Sequence, residues 1–108
     1  MNSQNKAFVM DFCTRAGLSK KEIGSFIKND ICNPEQLLSL SEEDLKELGL
    51  NIGKRKNFIK EIALFQASEI IVKALKTEGF EASDEEIFSF AYYLLRVDVE
   101  KDRFFFWF

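Results

Sequence analysis

The chain has 108 residues, 46% apolar and 31% charged, with a formal net charge of −3. That size and balance fit a globular domain and exclude low-complexity disorder. No apolar run reaches the ~20 residues of a membrane span, and the start "MNSQNKAF" lacks the basic-then-apolar pattern of a secretory signal.

One proline and five glycines leave little material for tight turns and strands, so an all-α chain is expected. The first helix is predicted over Gln4–Ala16, with Phe8, Val9, Phe12 and Cys13 on one face and Gly17 as its stop. The second starts at Ser19, where "SKKE" forms a capping box with Glu22, and Ile23, Phe26 and Ile27 give its apolar side. "NPEQ" opens a short third helix, with Asn33 as cap and Pro34 at the first helical position. The fourth begins at Ser41, carries Glu42, Glu43 and Asp44 in its first turn, turns Leu45 and Leu48 inward and ends at Gly49.

The fifth helix is expected from about Gly53 to Gly79, roughly 39 Å at 1.5 Å per residue. Phe58, Ile59, Ile62, Ala63 and Phe65 mark its buried face, extended by Ile70, Ala74 and Leu75. "SDEE" predicts a sixth helix with Ser83 and Glu86 as its capping box, and Ile87, Phe90, Ala91, Leu94 and Leu95 repeat at helical spacing. Asp98 is expected to cap one more short turn. About 40 residues seldom hold a core alone, so residues 67–108 are expected to pack on residues 1–66 or on a partner.

Charge is segregated along the chain. Residues 33–50 carry −4, residues 51–60 carry +4 and residues 78–108 carry −5. Acid at a helix start matches the helix dipole, whereas Lys54, Arg55 and Lys56 at the start of the fifth helix oppose it. Helix stability therefore leaves the basic cluster unexplained.

The stretch "LLSLSEEDLKELGLNIGKRKNFIKEI", Leu37 to Ile62, resembles the sterile alpha motif (SAM) domain. Leu38, Leu40, Glu43–Asp44, Leu45, Leu48–Gly49–Leu50 and Gly53–Lys54–Arg55 carry the likeness, which covers about residues 6–66. It implies a five-helix bundle with a long fifth helix, here followed by a C-terminal helical extension. SAM domains mostly bind proteins, often one another. In the self-associating ones a mid-loop surface of one copy meets an end-helix surface of the next. Carried onto this chain, the mid-loop face is acidic (Glu35, Glu42, Glu43, Asp44, Glu47) and the end-helix face is basic (Lys54, Lys56, Asn57, Lys60) with Ile52 as apolar anchor. Such a heterologous contact builds open helices or rings. A minority of SAM domains bind RNA, and the matching corner here is Lys54, Arg55 and Lys56 at a helix N-terminus. The acidic balance and the absence of aromatics beside that cluster make nucleic acid the lesser reading.

"SDEEIFSFAYYLLRVDVEKDRFFFW" resembles the helical segment that precedes WW modules in some centrosomal and ciliary proteins, through Glu86, Ile87, Ala91, Leu94, Asp98, Glu100, Lys101 and Trp107. Arg96 departs from it, a glycine being common there, and no WW module follows within the sequence. That likeness implies centrosomal or ciliary association within an otherwise cytoplasmic, intracellular setting.

Catalysis is not expected. There is no histidine, no Gly-rich phosphate loop and no metal-ligand spacing, so neither cofactor nor metal is implied. Cys13 sits on an apolar face, which suits packing, and free thiols are expected at Cys13 and Cys32, with a disulfide between them as the alternative. The run "FFFWF" cannot face one side of a helix. Its Phe104, Phe105, Trp107 and Phe108 either line the fifth and sixth helices or anchor a partner.

Overall fold

The computed structural model of the chain describes residues 3–100, with side chains as far as Val97. It is all-α: α1 (Ser3–Arg15), α2 (Lys20–Lys28), α3 (Pro34–Leu38), α4 (Glu42–Glu47), α5 (Ile52–Thr77) and α6 (Asp84–Glu100), with no strand among the described residues. The chain divides into two compact units, Met1–Ile62 and Ala63–Phe108.

Local hydrogen bonding explains the helix ends. Ser19 accepts the Glu22 amide while Glu22 accepts the Ser19 amide, and Ser41 and Asp44 form the same reciprocal pair. Asn33 accepts the Gln36 amide and Pro34 follows it. The Asn51 carboxamide accepts the Lys54 amide at 3.0 Å, so α5 begins at Ile52, one residue before the glycine expected to open it. At α6 the Ser83 hydroxyl accepts the Glu86 amide and donates to the Glu86 carboxylate.

Four helices end in one motif. After α1, α2, α4 and α5 the chain turns through a left-handed residue, Gly17, Asp30, Gly49 or Gly79. The next amide then reaches back to the last turn: Leu18 to Cys13, Ile31 to Phe26, Leu50 to Leu45 and Phe80 to Leu75, at 3.0–3.1 Å. At Gly49, φ is 93°, a conformation that a Cβ would strain. α6 instead continues through Asp98 to Glu100, so Asp98 does not cap a separate turn, and the remainder of that expected turn, 101–108, lies outside the described residues. A residue in mid-helix has its amide bonded within the helix and cannot cap.

The first unit closes around three phenylalanines from three helices. Phe12, Phe26 and Phe58 are fully buried. The Phe58 ring lies 5.2 Å from Phe12 and 5.4 Å from Phe26, at tilted angles that suit ring quadrupoles. Val9, Cys13, Leu37 and Leu45 are also fully buried, and Ile23, Leu50 and Ile62 nearly so. Ile59, expected on the buried face of α5, is instead 39% exposed, while Glu61 is only 3% exposed. Phe58 fixes which side of α5 faces inward. Ile59 lies one residue, or about 100° of helical rotation, away from it.

The second unit pairs the rest of α5 with α6. The Phe65 and Phe88 rings lie 4.9 Å apart, and Arg96 donates to the Tyr92 hydroxyl at 2.9 Å. Lys76 ties the connection by donating to the Ala82 carbonyl and pairing with Asp84. Ile87 and Ala91 are buried as expected, but Phe90 (67%) and Leu94 (47%) are exposed, as is Ile70 (67%). Ala63 and Ala74 are exposed too, while Leu64 and Ser68 take buried positions. The apolar stripes of these helices are wider than the surface that covers them. Phe104, Phe105, Trp107 and Phe108 lie outside the described residues.

Candidate functional site

The first unit carries two surfaces that the sequence marked by charge. On the first, the end of α2, α3 and α4 enclose a shallow groove of about 340 Å³. Ile31, Leu40 and Leu48, all half-buried, give it apolar surface; Asp44 and Glu47 give it acid; Asn29, Gln36 and Ser39 complete it. Of the acidic residues expected to bind, Glu35, Glu42, Glu43, Asp44 and Glu47 are all exposed, but only Asp44 and Glu47 line the groove. Asp44 has a second task. Its carboxylate accepts the Ser41 amide at 2.9 Å, and this bond, with one from the Ser41 hydroxyl, holds its pKa below the usual value. Ile31, Leu40 and Leu48 escaped sequence reasoning as site residues, since half-burial cannot be told from full burial by spacing alone.

The second surface is the start of α5. Ile52 is 59% exposed and Ile59 39%. Seven residues separate them, so they lie two turns apart on one face, with Lys56 between them and Lys60 beside Ile59. Lys56, Asn57 and Lys60 are exposed. The two lysines form no ion pair among the described residues. Ile59 is the anchor that periodicity assigned to the core.

Lys54 and Arg55 behave differently. Lys54 Nζ donates to Glu22 Oε1 at 2.6 Å, joining α5 to α2, and this bond is the leading cause that holds the Glu22 carboxylate below its ordinary pKa. Arg55 donates from one terminal nitrogen to the Leu50 carbonyl at 2.7 Å, and its Nε lies 3.7 Å from Glu42. The Arg55 side chain is only 15% exposed. Lys54 therefore ties α5 to α2, while Arg55 ties the corner between α4 and α5. Two of the three cations that helix dipoles left unexplained thus have structural partners, one of them 32 residues away in sequence.

Cys13 and Cys32 are free thiols, and burial pushes the Cys13 pKa up to about 12. Among the described residues no group of three or more His, Cys, Asp or Glu is placed to hold a metal ion. Among them, too, no helix is long and apolar enough to cross a membrane. Comparison with protein-family models, curated proteins and solved structures finds no match to this chain.

Proposed function

We propose that this chain is a non-enzymatic scaffolding module in which residues 1–66 act as a SAM-like domain and associate head-to-tail, with copies of itself or with another SAM domain. The observation that carries this reading is the complementarity of the two surfaces. An acidic, partly apolar groove (Ile31, Leu40, Leu48, Asp44, Glu47) and a protruding apolar-basic stripe (Ile52, Ile59, Lys56, Lys60) are carried by one unit. Opposite charge steers the encounter, while the isoleucines and leucines that the contact covers supply most of the affinity. The RNA alternative is the weaker one, because a phosphate at Lys54 and Arg55 would have to displace Glu22 and Glu42.

Light scattering at rising protein concentration tests this. Growth beyond a dimer is expected. Lys56→Glu or Glu47→Lys alone should block head-to-tail growth, and mixing the two variants should restore only capped head-to-tail dimers. An unchanged monomer mass at high concentration would sink self-association. A hairpin-RNA titration at low salt should find no binding.

A further inference from the structure

α6 carries apolar residues on two sides, and one side is open. Ile87 and Ala91 are buried, whereas Phe90 (67%), Tyr93 (65%) and Leu94 (47%) are exposed. Phe90, Leu94 and half-buried Val97 follow one another at i, i+4 and i+7, the spacing of a helix–helix seam. This side opens onto a groove of about 810 Å³, walled also by Ile71 and Leu75 of α5 and by Phe80 of the connection, itself 52% exposed. Glu86 is the only charged residue among those that line it. Asp84 and Glu85 lie instead on another groove, with Glu69, Lys73 and Ser89. Acid is thus kept off the apolar side, as it is from the centre of protein interfaces.

We infer that this side of α6 is the contact for a second copy of the chain. The two α6 helices run antiparallel about a two-fold axis, and two helix pairs close as one four-helix bundle. Three observations select a second copy. The first is area. Taking ~200 Å² for a whole ring, Phe80, Phe90, Tyr93 and Leu94 leave on the order of 400 Å² uncovered in each chain. Two copies therefore bring about 800 Å², and a standard interface of about 1,200–2,000 Å² needs roughly 60% of its area apolar. The second is the number of walls. Among the described residues of this unit, the end of α5 and α6 present two, and a second pair supplies the two that a bundle core lacks. The third is charge. With the axis midway between Phe90 and Leu94, Glu86 lies six residues from it, so the Glu86 carboxylates of the two copies stand about 18 Å apart. That exceeds a Debye length of about 8 Å, and the like charges do not oppose the contact. None of these residues belongs to the head-to-tail surfaces, so either contact can form without the other.

Sedimentation equilibrium of the Lys56→Glu chain tests this, because that substitution is aimed at the head-to-tail contact and leaves α6 untouched. A monomer–dimer equilibrium is expected, with a dissociation constant in the micromolar range or tighter. It should persist at high salt, since no ion pair holds it. Adding Phe90→Asp should weaken the dimer by more than about tenfold while helical circular dichroism is retained, the native ring being exposed within one chain. Ser89→Asp, one residue away on the other groove, should leave the dimer unchanged. Phe90→Ala adds no charge and should also weaken the dimer, which keeps the test decisive where the aspartate unfolds the unit. A Lys56→Glu chain that stays monomeric at high concentration overturns the inference and leaves the groove to another protein or to the chain itself. So does equal weakening by Phe90→Asp and Ser89→Asp, which would reflect added acid and not the apolar side. So does a dimer that Phe90→Ala leaves intact.

Discussion

The two units end their helices alike and bury their side chains differently. After α1 and α4 the residue beyond the left-handed glycine is Leu18 or Leu50, 8% and 2% exposed. After α5 the same position holds Phe80, 52% exposed. The hydrogen bonds of the motif are equivalent in all three places. The aromatics repeat the contrast: Phe12, Phe26 and Phe58 vanish from solvent, while Phe65 and Phe88 meet at a tilted angle and are only half-buried. The physical difference is the number of walls. In the first unit, five helical segments converge on a common centre. Among the described residues of the second, the end of α5 and α6 present two, and two helices cannot enclose a core. A helix-ending motif fixes where the chain turns, and only convergence of several elements decides whether the residue at the turn is covered.

The comparison can be broken most directly at the cores. Phe58→Ala should cost the first unit about 3–5 kcal/mol, since it empties the centre of a closed cluster. Phe88→Ala should cost the second about 1–2 kcal/mol, because its ring is only partly covered. Chemical denaturation of each variant checks both; equal losses would remove the distinction between closed and open units. The caps should behave alike in both units. Ser19→Ala, Ser41→Ala and Ser83→Ala should each cost about 1 kcal/mol, read from the same denaturation midpoints.

The ion pair between α2 and α5 sharpens the first unit's profile in acid. The Glu22 carboxylate has a lower pKa folded than unfolded, chiefly through the bond from Lys54. Its contribution is therefore complete above the unfolded carboxylate value of ~4.3 and is lost as pH falls through the lower, folded value. Glu22→Gln should flatten this acid limb and cost no more than about 1 kcal/mol at neutral pH, the pair being partly solvated. Denaturation midpoints from neutral to acid pH measure it. The smallest effect is kinetic. A thiol reagent should modify half-buried Cys32 in the native chain and reach Cys13 only on unfolding, because a thiol with its pKa at about 12 supplies almost no thiolate at neutral pH. Timed labelling with mass spectrometry separates the two.

The sequence by itself determined the helices and their ends. Ser19, Asn33, Ser41, Gly17, Gly49 and Gly79 act through hydrogen bonds that close within a few residues, so a reader of the chain meets both partners together. The resemblance to SAM domains also pointed to Ile52, Lys56 and Lys60, and all three are exposed. Only the tertiary structure decided which apolar residues are covered and which cations are engaged. Ile59, Phe90 and Leu94 share the spacing of buried residues, yet all three are exposed. Glu61 and Ser68 are buried despite their polarity. Lys54 finds its partner 32 residues away. Spacing along a helix gives the direction in which a side chain points, but what stands in that direction is set by parts of the chain remote in sequence.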